Sequence, residues 1–164
     1  MNIRTTIDGK LLFEGAEIMR GIFRNFGGDK EGRYDQKGKR YFNMRIDDAE
    51  IAQLMKNDNW PIRLLAPRDP EDQPSTIMKV SIKPENRYFP CHISTVCNGV
   101  LTRDIDPEQY GLLDTAEIQS ADLTLRLWEY SPGEFSAQLE EGIFTIQPVS
   151  YWYDKYAEEE SPHE

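Results

Sequence analysis

Apolar and polar residues alternate along most of the chain, and this period of two predicts strands. The pattern predicts about seven of them, at residues 16–26, 40–46, 61–66, 75–83, 89–102, 121–130 and 134–147. We expect the fifth to be broken at Asn98-Gly99, and Ser131-Pro132-Gly133 predicts the tight turn of a hairpin between the last two. Most of the chain is therefore predicted to form β-sheet.

Two short helices are predicted where this alternation stops. Asp47 is expected to cap the first helix, because Glu50 follows three residues later as in a capping box. Asp106 is expected to cap the second, over residues 107–113, because Pro107 suits the first helical position. Both helices are predicted to be brief.

Many short strands with two brief helices predict a mainly β domain, a closed barrel or a sandwich rather than a βαβ fold. At 164 residues the chain most simply makes one such domain. An OB-fold-like barrel, elaborated with extra strands and two short helices, is our predicted fold for residues 1–153. Residues 154–164 contain five acids and one lysine without apolar periodicity, which predicts a disordered acidic tail.

The charge is unevenly distributed along the sequence. The whole chain has a formal charge of −10, yet residues 20–45 contain eight basic side chains and three acidic ones. Within this segment, residues 27–39 form a predicted loop, the basic loop, with glycine at positions 27, 28, 32 and 38. A loop of that length is more often functional or disordered than a simple hairpin connection.

Alternation also predicts which strand residues face the core. In 40–46, Phe42, Met44 and Ile46 form the inward set, so Tyr41, Asn43 and Arg45 face outward. In the other two clearly alternating strands the predicted outward side chains are again mainly cations and aromatic rings: Lys79, Lys83, Thr124, Arg126, Trp128 and Tyr130.

Cations combined with exposed rings suit single-stranded nucleic acid. Positive side chains contact phosphates, and stacking of a base on an aromatic ring contributes about 1–3 kcal/mol. The alternative interpretation of each residue is ordinary solvent-facing surface, because aromatic residues favour strands and lysine or arginine is common on any exterior. The clustering within the basic segment favours a binding function.

Residues for metal chemistry are few. His92 and His163 are the two histidines, and Cys91 and Cys97 are the two cysteines, without the spacing of a zinc site. We expect buried free thiols and no metal or other cofactor. A disulfide between these cysteines would need a bend in the intervening strand.

Signatures of catalysis are also missing from the sequence. It contains neither a phosphate-binding loop nor a nucleophile elbow nor a glycine fingerprint that opens a helix. Asp47 and Asp48 could bind a metal, but helix capping explains them better because no third acidic ligand is fixed nearby. We therefore expect no enzyme. Neither a membrane span nor a secretory signal is predicted, which favours a cytosolic protein.

The whole chain resembles small phage or prophage single-stranded DNA-binding proteins with an OB-fold. The resemblance is carried by Arg24-Asn25-Phe26 and the glycine-rich basic loop, by Arg40-Tyr41-Phe42-Asn43, by Asp47-Asp48, and by DNWPIRLLAPRD at 58–69. It implies sequence-independent binding of single strands during phage DNA replication or recombination, in the cytoplasm of the bacterial host. Two features depart from what the resemblance implies. The last hairpin is acidic, whereas such proteins often carry extra lysine and glycine there, and the tail resembles the acidic tails of bacterial single-strand binders but ends in His163-Glu164 rather than in an aromatic residue.

These arguments lead to one main hypothesis and two alternatives. The main hypothesis is a non-enzymatic single-stranded DNA-binding protein, with replication or recombination proteins as partners of the acidic tail and a homo-oligomer as a further possibility. The alternatives are a protein-interaction module with an acidic surface, such as a phage inhibitor or assembly factor, and a carbohydrate-binding barrel. The predicted DNA-binding residues are Arg20, Arg24, Phe26, Lys30, Arg33, Tyr34, Lys37, Lys39, Arg40, Tyr41, Arg45, Lys79, Arg126 and Trp128.

Overall fold

The computed structural model describes residues 2–6, 8–30 and 38–147 of the chain. The strands in this part are β1 (Asn2–Thr5), β2 (Leu11–Ile18), β3 (Arg24–Asn25), β4 (Arg40–Arg45), β5 (Ile62–Leu65), β6 (Ser75–Ile82), β7 (His92–Cys97), β8 (Val100–Thr102), β9 (Ile118–Ser131) and β10 (Glu134–Ile146). The α-helices are α1 (Ala49–Asn57) and α2 (Leu112–Thr115), and short 3-10 helices lie at Gly21–Phe23 and Pro107–Gln109.

Five of these strands pair in a closed ring. β4 pairs with β2 and β6, β2 pairs with β9, β9 pairs with β10, and β10 returns to β6 in parallel register. The remaining strands extend the ring: β1 pairs with β2, β3 with β4 and β5 with β6. β7 pairs with β10, and β8 pairs with β7. The mainly β prediction with extra strands and two short helices is confirmed. The sheet is ring-like, and its assignment as an OB-fold barrel stays a prediction.

The core is built around three phenylalanine rings. Phe26 and Phe42 stack with centroids 5.3 Å apart, and Phe144 meets both rings edge-on at 5.4 and 5.7 Å. All three side chains are fully buried. Burial of one such ring stabilises the fold by about 1.5–3 kcal/mol. The core therefore packs Phe26, the residue after β3, against strands β4 and β10.

The inward residues of the sheet follow the predicted alternation. Met44, Met78, Val80 and Leu125 are buried, as expected. Among the predicted outward residues, however, Tyr41 is only 5% exposed and Asn43 is also buried. Both side chains point to the outer side of the sheet, as predicted, but they are covered: Lys79 lies over the Tyr41 ring, and the Asn43 amide binds the Phe23 carbonyl in the turn before β3.

The predicted strand at 16–26 has different bounds in the structure. β2 begins at Leu11 and ends at Ile18, and a 3-10 turn at Gly21–Phe23 precedes the two-residue strand β3. Gly21 has φ +65°, a left-handed conformation that interrupts strand geometry and that glycine adopts readily. Strand β1, which pairs with β2, was not predicted.

Helix α1 begins one residue later than predicted. Asp48, not Asp47, is the N-cap, and its Oδ1 accepts hydrogen bonds from the backbone N–H groups of Glu50 (2.9 Å) and Ile51 (3.2 Å). Glu50 therefore does not occupy the capping-box position. Asp106 does cap the second helical segment, as predicted.

The two predicted turns are confirmed. Asn98 and Gly99 have φ values of +53° and +77° and join β7 to β8, and Gly133 at φ +76° lies in the β9–β10 turn. Cys91 and Cys97 are free, as predicted. Cys91 is buried, and burial raises the pKa of its thiol, whereas Cys97 is only half-buried, contrary to prediction. Within the described residues, neither α-helix has the length and apolar character that crossing a membrane requires.

Candidate nucleic-acid interface

The side-chain amide of Asn25, which is buried, binds both ends of the basic loop. Asn25 Oδ1 accepts a hydrogen bond from the Lys30 N–H at 3.2 Å, and its Nδ2 donates to the Lys39 carbonyl at 2.8 Å. The Gly38 N–H also donates to the Gly28 carbonyl at 2.7 Å. Both ends of the loop are therefore fixed beside the first residue of β4.

A row of polar side chains crosses four neighbouring strands from this point. Tyr41 of β4 is opposite Ser81 of β6, Ser81 is beside Gln138 of β10, and Gln138 is opposite Arg126 of β9. Paired residues in a sheet share a face, so these four side chains share one face, the outer face of the ring. Tyr41 and Arg126, both predicted to face outward, thus share one face with Ser81 and Gln138.

The lysine groove lies where this row meets the base of the basic loop. It is a depression of about 260 Å³ lined by Gly38, Lys39, Arg40, Tyr41, Lys79, Ser81, Ile82, Lys83 and Glu85. Lys79 Nζ lies 4.3 Å from the centroid of the Tyr41 ring, a cation–π contact. Lys39, Lys79 and Lys83 are exposed and outnumber the single carboxylate of Glu85. The groove is a local positive site on an acidic chain.

A second depression, the Arg63 groove, continues the first. It has a volume of about 400 Å³, shares Tyr41 and Lys79 with the lysine groove, and is completed by Ile22, Phe23, Asn43, Arg63 and Leu65. Arg63 Nη2 donates to Asn43 Oδ1 at 3.3 Å, and Asn43 Nδ2 donates to the Phe23 carbonyl at 3.1 Å. Sequence reasoning missed Arg63, because only the pairing of β5 with β6 places it on this face.

Exposed rings lie along β9 on the same face. Trp128 is 44% exposed, Tyr130 is also exposed, and their ring centroids are 6.1 Å apart. Val80 of β6 pairs with Ala137 of β10, so the residues before them, Lys79 and Ser136, are neighbours. Ser136 in turn pairs with Trp128 of β9. The register thus places Trp128 two strands from Lys79, with a small serine between them.

Two predicted DNA-binding residues are buried instead. Arg24 is 2% exposed, and its guanidinium donates to the carbonyls of Ile18, Met19, Leu113 and Ala116 at 2.6–3.4 Å. Burial lowers the pKa of Arg24, although a guanidinium stays charged in proteins. Phe26 belongs to the core ring cluster. Burial contradicts the prediction that either side chain contacts DNA, because neither reaches the surface.

Four other predicted cations make contacts within the protein. Arg20 pairs with Glu117 at the surface, and Arg45 Nε lies 3.3 Å from a Glu17 carboxylate oxygen. The remaining two bind carbonyl groups: Lys30 Nζ donates to Gly21 and Arg24 at 2.9 and 2.6 Å, and Arg40 Nη1 donates to Pro107 at 2.8 Å. Of this group, only Arg40 lines the lysine groove.

The other predicted residues form three groups. Lys39, Tyr41 and Lys79 meet in the lysine groove, while Arg126 and Trp128 lie on the same face along β9. Arg33, Tyr34, Lys37 and the predicted acidic tail lie outside the described residues.

A known family matches most of the chain. The family described as "Putative phage ssDNA-binding domain" matches residues 4–158, a range that includes both grooves and the exposed rings of β9. No curated protein and no solved structure matches the chain. Because the family match covers nearly the whole sequence, the predicted resemblance is confirmed, and the chain belongs to this family of phage single-stranded DNA-binding domains.

Proposed function

We propose that the protein binds single-stranded DNA without catalysing a reaction and largely without regard to sequence. The lysine groove carries this proposal, because it joins Lys39, Lys79 and Lys83 beside the fixed base of the basic loop. Ammonium groups attract phosphates of every nucleotide alike, so a groove of this kind favours a strand but no particular base.

The exposed rings of β9 supply the second part of the interface. Trp128 and Tyr130 share the outer face with the lysines, and a nucleobase can stack on either ring. A strand with its phosphates at the lysine groove and its bases directed toward β9 would contact both sets. This arrangement suits unpaired DNA, whose bases are free to stack.

We place this activity in phage DNA replication or recombination, in the cytoplasm of the bacterial host. Both processes expose single strands that need a covering protein. Replication or recombination proteins as partners of the acidic tail are part of the same proposal. A homo-oligomer is a further part of it.

A protein-interaction module is the second candidate function. Strands β5 and β8 are at the two ends of the main strand order, and Leu64 and Val100 on them are exposed. Unpaired strand edges with apolar side chains suit contact with another chain. An assembly factor would use these edges and its acidic surface rather than the lysine groove.

Titration with oligo(dT) at low and high salt, followed by intrinsic fluorescence, tests the proposal. We expect quenching of tryptophan emission and an affinity that falls as salt rises, because bases stack on Trp128 and lysines contact phosphates. The Trp128→Phe variant is the matched control: it keeps a ring, and we expect most of the quenching to disappear while the remaining tryptophans, Trp152 and the buried Trp60, still emit.

Labelled DNA supplies an independent readout in the same titration. An anisotropy increase with oligo(dT) that is larger than with a duplex of equal length supports single-strand binding. If neither emission nor anisotropy changes at low salt, DNA binding is excluded and the protein-interaction module becomes the better explanation.

A further inference from the structure

The loop that joins β6 to β7, residues 83–91, presents two rings that the core does not use. Tyr88 is exposed, and Phe89 is 49% exposed. Asn86 holds the loop in shape, because its Oδ1 accepts hydrogen bonds from the N–H groups of both Tyr88 and Phe89 at 3.0 Å. The Asn86 N–H in turn donates to the Lys83 carbonyl at 3.2 Å. Rings on a fixed turn lose little freedom when a flat ligand binds.

Arg126 of β9 lies directly against one of these rings. Its guanidinium carbon is 3.8 Å from the Phe89 centroid, and Nη2 donates to Gln138 Oε1 at 2.7 Å. Among the described residues, no carboxylate forms an ion pair with Arg126. The guanidinium is therefore held in place while its charge stays available to an external anion.

Gln138 adds a buried donor between this pair and the lysine groove. It is 4% exposed, and its Nε2 has no hydrogen-bond partner in the described part of the chain. An unpaired buried donor is unfavourable, and a ligand oxygen that accepts from it removes that penalty. Its strand neighbour Ser81 lines the lysine groove, so the donor lies next to the proposed path of DNA.

We propose that Phe89 and Arg126 form a nucleobase-stacking site and that the 83–91 loop is a second wall of the DNA interface. Arg126 covers one face of the Phe89 ring, so a base stacks on the other face while the guanidinium binds an adjacent phosphate. Lys83, at the start of the loop, connects this site to the lysine groove. The inference rests on the single-stranded DNA binding proposed above.

The ligand chemistry follows from the three side chains. A phenyl face accepts any planar base, a guanidinium combines ring stacking with phosphate binding, and an amide N–H needs an oxygen or nitrogen acceptor. A nucleotide of a single strand offers all three partners within one unit. In a duplex the bases are already stacked on one another, so the site selects unpaired strands.

The test compares two ligands that differ only in their bases. Full-length wild-type protein and Phe89→Leu are titrated against labelled oligo(dT) and against an abasic oligonucleotide of equal length. Loss of one stacked base should weaken oligo(dT) binding at least about 5-fold. Affinity for the abasic strand should stay the same, because its phosphates contact lysines and Arg126.

Two further variants separate stacking from general damage. Phe135→Leu makes the same chemical change on the opposite face of the β9–β10 hairpin from Trp128 and should leave both affinities unchanged. Arg126→Lys keeps the charge but loses the planar stack, so it should weaken oligo(dT) binding several-fold with an unaltered salt dependence. Thermal melting verifies that each variant is folded.

The possible outcomes distinguish this inference from the proposed function. If wild-type protein binds oligo(dT) and Phe89→Leu binds it equally well, the stacking site is wrong and the DNA-binding function stands. Equal weakening for both oligonucleotides would also overturn the site, because the ring would then act through the shape of the loop. Absence of wild-type binding to either strand at low salt would reject both proposals.

Discussion

The guanidinium of Arg24 connects parts of the chain that are distant in sequence. Its N–H groups donate to Met19, the residue after β2, and to Leu113 and Ala116 around α2. These three residues are buried, and Arg24 supplies a donor to the carbonyl of each. The residue therefore acts in folding, and its positive charge lies away from the lysine groove.

Replacement of Arg24 by lysine should lower the free energy of unfolding by about 3 kcal/mol, since an ammonium cannot reach all of these carbonyls and each lost bond costs about 1–3 kcal/mol. Urea unfolding measures the change. Arg20→Lys is the matched control: Arg20 has an exposed pair with Glu117, so its loss should change the value by less than about 1 kcal/mol. Equal unfolding midpoints for the two variants would contradict the structural role of Arg24.

Burial could be predicted from sequence only where it depends on local alternation. Phe42, Val80 and Leu125 follow the two-residue period and are buried as expected. Arg24 could not be assigned this way, because its partners Leu113 and Ala116 are 89 and 92 residues away. Sequence alone does not distinguish a buried arginine from a surface arginine, because the carbonyls that bind it come from distant parts of the chain.

For helix α1, likewise, the sequence predicts that the element exists but not which residue caps it. Its existence could be predicted from an aspartate pair ahead of an apolar pattern, but either aspartate could have been the cap. The structure selects Asp48, whose carboxylate accepts from two N–H groups of the first turn. Turns were easier to predict: Asn98-Gly99 needs left-handed backbone at both positions, a local property of those residue types.

The two aspartates provide a direct comparison of cap and neighbour. Asp48→Ala should lower the free energy of unfolding by about 1 kcal/mol, the usual cost of a lost N-cap. Asp47→Ala removes the same charge one residue earlier without removing a capping bond, so its effect should be at most about 0.5 kcal/mol. Chemical denaturation of both variants measures the difference. A larger loss for Asp47→Ala would mean that the helix begins where the sequence predicted.

The interface is determined by pairings between elements that are distant in sequence. These pairings could not be predicted from the sequence. The parallel contact between β6 and β10 places Ser81 beside Gln138, and it is this contact that joins the lysine groove to the β9 side of the ring. Cations and rings on separate strands could be predicted as outward residues, but not as neighbours. Arg63 and Phe89 were missed for the same reason, since their positions depend on which strand and which loop lie alongside.

At the scale of the whole molecule, the lysine groove is locally positive although the chain as a whole is negatively charged. The formal charge is −10, so distant carboxylates repel a phosphate backbone while three lysines attract it at short range. Salt screens the distant charges over roughly 8 Å at physiological ionic strength. Phosphate contacts in the groove release counterions, which makes the measured affinity fall as salt rises.

Removal of two groove lysines therefore has a predicted signature in the salt dependence. For Lys79→Gln combined with Lys83→Gln, the plot of log affinity for oligo(dT) against log salt should become shallower by about 1.4, since each phosphate contact with a single strand contributes about 0.7. The control, Arg4→Gln combined with Arg103→Gln, removes the same net charge from exposed positions outside both grooves and should leave the slope nearly unchanged. Anisotropy titrations at four salt concentrations measure both slopes. If the two double variants flatten the plot equally, DNA responds to the net charge of the protein rather than to the lysine groove, and the local interface must be abandoned.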